Sequence, residues 1–159
     1  MILVLLGTQN NNFNRLLQAM EENIDKGIIK DEVIVQAGFT KFKSSKMKIF
    51  SFIDKDKLSD LEDKADIVIT HGGVGSIVAS LKRGKKVIVV PRLKKYGEHV
   101  NNHQLQIARR FKNEGYVKYV LNIKNLAKTI SSMESFEPKK YENSEGNVIS
   151  IIENYIDNN

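Results

Sequence analysis

A short apolar strand, Ile67-Val68-Ile69, runs directly into an apolar helix through Thr70-His71-Gly72-Gly73-Val74-Gly75-Ser76, a turn carrying three glycines. Glycine lets a ligand come close to the backbone and adopts dihedrals that other residues resist. The first amides of the following helix have no partners inside it. They aim their N–H groups, and the positive end of the helix dipole, at any anion that arrives. A strand-turn-helix unit of this kind suits phosphate and belongs to an α/β architecture.

The rest of the chain repeats the alternation. Met1 to Leu6 is wholly apolar and ends at Gly7, as a strand buried on both faces should. Phe13, Leu16, Leu17, Met20 and Ile24 recur at helical spacing, with Asn10 to Asn12 available as caps and Gly27 as the stop. Val33 to Ala37 and Lys48 to Phe52 read as strands, and Leu58, Leu61 and Ala65 mark a short helix before the strand Asp66 to Thr70. Ile77, Val78 and Leu81 give the helix after the glycine turn its apolar face, ended by Gly84. Val87 to Val90 is a further buried strand, followed by a polar loop, a helix from about Val100 to Asn113 and a strand around Tyr116 to Leu121. The expected fold is a Rossmann-like, doubly wound α/β domain with a mainly parallel sheet and helices on both faces. Ligands of such sheets sit outside the carboxyl ends of the strands. Three turns leave that edge, Gly7 to Asn12, His71 to Ser76 and Arg92 to His103, and they are expected to converge.

With 159 residues the chain is one domain's worth. Residues 1–137 are expected to form the ligand-binding domain and 138–159 a linker and an amphipathic helix. In that helix Val148, Ile151, Ile152, Tyr155 and Ile156 match one helical face and Ile149 widens it, for docking on this chain or on another. No apolar run approaches the ~20 residues of a membrane span, and no basic segment precedes the first run, so a cytoplasmic protein is expected. Absence of cysteine excludes disulfides, thiolate nucleophiles and cysteine-held zinc. The formal charge of +6 is clustered at Lys41 to Lys48, Lys82 to Lys86 and Arg92 to Lys95. Nucleotides or an anionic membrane could be drawn by it, but no aromatic, zinc-finger or helix-turn-helix pattern argues for nucleic acid.

Two decoys are set aside. Asp54-Lys55-Asp56 has the form of a metal-binding D-x-D, yet it precedes Leu58 and Leu61 and reads as a helix cap with acidic residues at the positive dipole end. His71, His99 and His103 lack the spacing of a ligand set, so no metal and no cofactor are expected. The glycine turn is not the dinucleotide fingerprint, which would follow the first strand, nor a P-loop, which would end in Gly-Lys-Ser or Gly-Lys-Thr.

Beyond Pro91-Arg92, the run Glu98-His99-Val100-Asn101-Asn102-His103-Gln104 concentrates hydrogen-bonding side chains at the start of a helix, the chemistry of sugar recognition. Together, the His-x-Gly-x-Gly-Ser turn, the Val-Pro-Arg strand end and the Glu-His-x-Asn-x-His-Gln-Leu helix start resemble the C-terminal, nucleotide-sugar-binding half of GT-B glycosyltransferases of family 28. The likeness extends to stand-alone subunits of bacterial capsule and exopolysaccharide synthesis and of eukaryotic dolichol-linked oligosaccharide assembly. Val4-Leu5-Leu6-Gly7-Thr8 and Phe13-Asn14-Arg15-Leu16 fit the bacterial subunits.

The resemblance implies an inverting hexosyltransferase that moves galactose or GlcNAc from UDP to a lipid-linked acceptor. A membrane-associated subunit would supply the acceptor half and hold this chain peripherally at the inner membrane face. It implies that Gly72, Gly73, Gly75 and Ser76 meet the diphosphate and uridine end of the UDP-sugar, with Gly7 and Thr8 closing on the phosphates from the first turn. His103 and Gln104, with Asn102, would hold sugar hydroxyls, while His71 and Arg92 add charge toward the leaving diphosphate. His71 and Glu98 are candidate general bases, as is a residue of the partner. Two positions depart from the family pattern: Ala79 stands where relatives carry a ribose-binding Glu, and Gln9 where bacterial subunits carry a His. Alternatives are a non-catalytic nucleotide-sugar-binding regulatory module and a self-sufficient homodimeric enzyme.

Overall fold

The computed structural model describes residues 1–142. Six strands form one all-parallel sheet: β1 (Ile2–Leu5), β2 (Val33–Gln36), β3 (Lys48–Phe50), β4 (Ile67–Thr70), β5 (Lys86–Val89) and β6 (Lys118–Tyr119), in the order β3-β2-β1-β4-β5-β6. β1 lies between β2 and β4, with Ile2 opposite both Val33 and Ile67. The chain therefore builds outward from β1 to β3, returns, and builds the other way from β4. The turns after β1 and β4 flank the point of reversal, where sheets of this kind open a crevice at their carboxyl edge.

Alternate residues of the central strands feed two cores. Val4, Leu6, Val35, Ile69 and Ile88 pack with Leu16, Leu17 and Met20 of α1 (Asn14–Asp25) and with Leu126 and Ile130 of α5 (Leu126–Ser132). On the other face Leu3, Leu5, Val68, Val87 and Val89 pack with Ile77, Val78 and Leu81 of α3 (Val74–Lys82) and with Ile107, Ala108 and Phe111 of α4 (His103–Asn113). Leu58 and Leu61 of α2 (Lys55–Lys64) join that second core. Strands covered on both faces read as unbroken apolar runs, which is why β1, β4 and β5 stand out in the sequence.

Several local expectations are corrected. The asparagines 10–12 do not cap α1; Phe13 is the N-cap, without a side-chain bond, and its amide donates to Thr40 Oγ1 at 3.1 Å. α4 begins at His103, not near Val100, because Asn101 Oδ1 accepts the His103 amide at 3.0 Å and ends the preceding turn there. β2 and β3 are parallel yet joined by an irregular crossover, residues 37–47, instead of a helix. The loop after β5 contains a 3-10 turn at Lys94–Tyr96, and α5 was not anticipated. Asp54 does cap α2, accepting from the Lys57 amide at 3.3 Å.

Past α5 the chain folds back: the Lys139 amide donates to Gly115 O at 2.9 Å and the Tyr141 ring meets Tyr116 edge-on. The tail helix expected at 148–156 lies outside the described residues. Among the described residues, no helix is long and apolar enough to cross a membrane.

Candidate functional site

The three turns do meet at the carboxyl rim, and buried polar side chains tie them together. Gln104, at the start of α4, accepts two amides on Oε1, from Gly72 and from Arg92, each at 3.0 Å. Its Nε2 lies 3.2 Å from His71 Nδ1. One side chain thus fastens the turn after β4 to the loop after β5.

The His71 ring fills the gap between the first two turns. A Cβ on Gly7 would stand 2.7 Å from His71 Nε2, and one on Gly73 would stand 2.3 Å from His71 Cε1. Gly7 also has φ +78°, a conformation that glycine adopts freely. Gly72 is closed in likewise, with Gln104 Cβ 2.5 Å from its would-be Cβ. These three glycines make room for the protein's own side chains. Gly75 differs, since nothing lies within 4 Å of a Cβ built there.

His71 Nδ1 accepts from the Gly73 amide at 3.1 Å as well as from Gln104, so the ring proton sits on Nε2, 3.2 Å from Ser76 Oγ. Ser76 Oγ then accepts from the ring and keeps its own O–H to donate outward. Burial, reinforced by the Arg92 cation, pushes the His71 pKa down to about 4. The ring is neutral near pH 7. This corrects two expectations: His71 adds no positive charge, and its one lone-pair nitrogen is already occupied, which argues against a general base. Its role as a hydrogen-bonding element of the helix end is what the geometry supports.

The depressed value fixes a pH dependence of stability. Above the unfolded value of 6.5 neither state holds the proton. As pH falls from 6.5 toward 4 the unfolded chain binds it and the folded one does not, so stability is lost across that window, by about 3 kcal/mol in total. Urea unfolding between pH 7.5 and pH 4 is expected to give a steeper decline for wild type than for His71→Asn; parallel declines would refute the assignment.

Arg92 is fully buried, which rules out a surface ion pair. Its Nε and Nη2 donate to Leu6 O at 3.2 and 2.7 Å, and Nη1 donates to Asn11 O at 2.7 Å and Glu98 O at 3.0 Å. The guanidinium lies over the Phe13 ring, 4.9 Å from its centroid. Burial lowers its pKa to about 10, with Glu98 opposing, so it stays a cation. It joins the first turn to the third loop and does not face outward to a diphosphate. Glu98, only 2% exposed, has both oxygens committed to Arg15, at 2.9 Å each, and Oε1 also accepts the Leu93 amide at 3.1 Å. A carboxylate enclosed in this way and held by a guanidinium is out of reach of an acceptor hydroxyl, which argues against the second candidate.

The remaining expected residues line the rim. Thr8, Gly75 and Asn102 are exposed, and Gly73, Ser76 and His103 are half-buried. Asn102 Oδ1 accepts the Lys94 amide at 3.0 Å, and His99 Nδ1 accepts the Asn101 amide at 3.3 Å. Burial, then the Arg92 and His103 charges, lower the His99 pKa. Gln9 is exposed, and Ala79 is half-buried on α3. Sequence reasoning missed Arg15 as the partner of Glu98. It also missed the exposed pair Phe39 and Phe52, whose rings meet edge-on at 5.3 Å just beyond β2 and β3 on the same rim. Gly38, beside Phe39, is packed so tightly on the first turn that a Cβ there would stand 2.3 Å from Gly7 O.

A family model for the glycosyltransferase family 28 C-terminal domain matches residues 1–158. The chain is 33% identical over 124 residues to the UDP-N-acetylglucosamine transferase subunit ALG13 of Homo sapiens, covering 76% of this chain and 10% of that protein. To the subunit of the same name from Saccharomyces cerevisiae it is 39% identical over 75 residues, 46% of this chain and 35% of that one. The matched stretch is thus less than half of these relatives. In structure the chain is similar to the solution structure of ALG13, with a TM-score of 0.57, 24% identity and 87% of each chain covered. It is similar also to Acinetobacter baumannii MurG, with a TM-score of 0.57, 15% identity and 82% of this chain against 40% of that one. At those identities the structural likeness speaks for the fold, that of a GT-B glycosyltransferase half. On the family model's match across nearly its whole length, the chain belongs to glycosyltransferase family 28, whose C-terminal domain it carries.

Proposed function

We propose that this domain binds a UDP-sugar at the carboxyl rim of its sheet and serves as the donor half of a glycosyltransferase completed by a second, membrane-associated chain. The observation that carries the reading is the open amino end of α3. Gly75 has free space outside it, Ser76 keeps a hydroxyl proton to donate, and the helix has no side-chain cap, while a buried network holds the turn rigid behind them. Preorganised amides and a helix dipole are what a leaving diphosphate needs. Phe39 and Phe52 offer apolar aromatic surface for a base, next to the first turn, and Thr8, Asn102 and His103 line the rim for the phosphates and sugar hydroxyls. The relatives' names carry UDP-N-acetylglucosamine, which supports that donor ahead of UDP-galactose.

Transfer would invert the anomeric carbon by direct displacement. With His71 and Glu98 both engaged inside the domain, the base that deprotonates the acceptor belongs to the partner chain. The basic clusters and a lipid-linked acceptor fit a position against the cytoplasmic face of a membrane, and a role in polysaccharide assembly rests on the resemblance to bacterial subunits. No metal or cofactor enters the reading.

Calorimetric titration of the full chain with UDP, UDP-GlcNAc and UDP-galactose tests it. Binding of UDP between micromolar and millimolar Kd, about −8 to −4 kcal/mol, is expected, with UDP-GlcNAc tighter than UDP-galactose. No heat with any of the three would overturn the reading. Binding without transfer, when the partner is present, would favour the non-catalytic module.

A further inference from the structure

Arg15, Glu98 and Arg92 form a group that the proposed chemistry does not use. Arg15, on the first turn of α1, grips Glu98 with two parallel hydrogen bonds and reaches Pro91 O with the same Nη2 at 3.2 Å. Its guanidinium carbon lies 4.7 Å from the centroid of the Tyr96 ring and 5.5 Å from that of Phe13. Arg92 uses the same Phe13 ring and the Glu98 carbonyl. Asn11 adds a bond from its side-chain amide to Gly97 O at 2.9 Å. The contacts of Arg15 with Glu98, Pro91 and Tyr96, of Arg92 with Phe13 and of Asn11 with Gly97 run between the α1 end of the domain and the loop 91–102. Neither Arg15 nor Glu98 bonds to the turn 71–76, which hangs on its own His71 and on Gln104, whose Oε1 also takes the Arg92 amide.

We propose that Arg15, Glu98 and Arg92 act as a clasp that sets the position of loop 91–102, and with it of Asn102 and His103, over the sugar of the bound donor. Arg15 and Glu98 are then positioning residues. Both face inward and act through the loop that they hold. A bidentate guanidinium-carboxylate pair fixes orientation as well as distance, which a lysine in place of Arg15 would not do. The inference rests on the donor-site reading above and deepens it, because it divides the rim into a phosphate end at α3, whose turn takes no hydrogen bond from Arg15 or Glu98, and a sugar end that those two residues govern.

The test compares the full-length wild type with Arg15→Lys and Glu98→Gln by calorimetric titration with UDP and with UDP-GlcNAc, alongside hydrogen exchange of the Leu93 amide. In the variants UDP is expected to bind within twofold of wild type. The factor by which UDP-GlcNAc outbinds UDP is expected to fall at least fivefold, and Leu93 exchange to rise at least tenfold. Equal weakening of both ligands would mean general structural damage and would overturn the clasp, as would an unchanged ratio or a wild type that binds UDP and UDP-GlcNAc equally. If the wild type binds neither, the donor-site reading fails and takes the clasp with it. Arg15→Lys, which keeps the charge, guards against a Glu98 variant that does not fold.

Discussion

Arg92→Met is expected to lower folding stability by about 4 kcal/mol, with Arg92→Lys recovering less than half of the loss. The side chain is completely enclosed and donates to the carbonyls of Leu6, Asn11 and Glu98. Methionine fills much of the same volume but offers no donor, so the three carbonyls lose the partner that the enclosed guanidinium supplied. An unsatisfied buried acceptor costs about 1–3 kcal/mol, and the cation–π contact with Phe13 is lost besides. Loss of the cation also removes one of the two positive charges near the buried Glu98 carboxylate, leaving that of Arg15. Lysine keeps a charge but cannot fork to Leu6 on one side and to Asn11 and Glu98 on the other. Thermal unfolding reads the effect directly: for a chain of this size 4 kcal/mol corresponds to a fall of about 8–16 °C in Tm. A fall under 3 °C would mean that the buried guanidinium does not hold the turns together.

That prediction turns on a residue whose chemistry was visible in the sequence and whose surroundings were not. The fold was legible wherever burial is uniform: β1, β4 and β5 are covered on both faces, and their apolar runs say so. It was less legible where burial is partial. α5 is seven residues long, and its inward positions Leu126 and Ile130 are diluted by Lys128, Thr129 and Ser131. The start of α4 was misjudged because Val100 looks like a core residue and is instead 73% exposed. At the site, the convergence of the three turns followed from their place after parallel strands at the reversal of strand order. Orientation did not follow. His71, Arg92, Glu98 and Gln104 offer the donors and acceptors that a nucleotide sugar would use, and the fold uses them on itself. A sequence displays hydrogen-bonding capacity without saying who fills it. The partner that answers Glu98 is Arg15, 83 positions away on another element.

The glycines of the turn separate the same two possibilities by experiment. Gly73→Val is expected to disturb both fold and binding, because its Cβ would stand 2.3 Å from the His71 ring, which must leave its place between Gly7 and Gly73. Displacing the ring breaks its bonds to the Gly73 amide, Gln104 and Ser76 together, and the turn loses its shape. Gly75→Val has no such effect on the interior, since the space around it is open and the residue already lies within α3. In stability it should be neutral or gain up to about 0.5 kcal/mol, as glycine is among the poorest helix formers. A glycine that the fold does not require, at the first turn of a helix whose amides face outward, is explained if a ligand must approach that surface. Gly75→Val is therefore expected to retain its Tm while UDP affinity falls at least tenfold, about 1.4 kcal/mol or more. Gly73→Val should lose both. Undiminished UDP binding by a stable Gly75→Val would place the diphosphate away from the α3 terminus and remove the observation on which the donor-site reading stands.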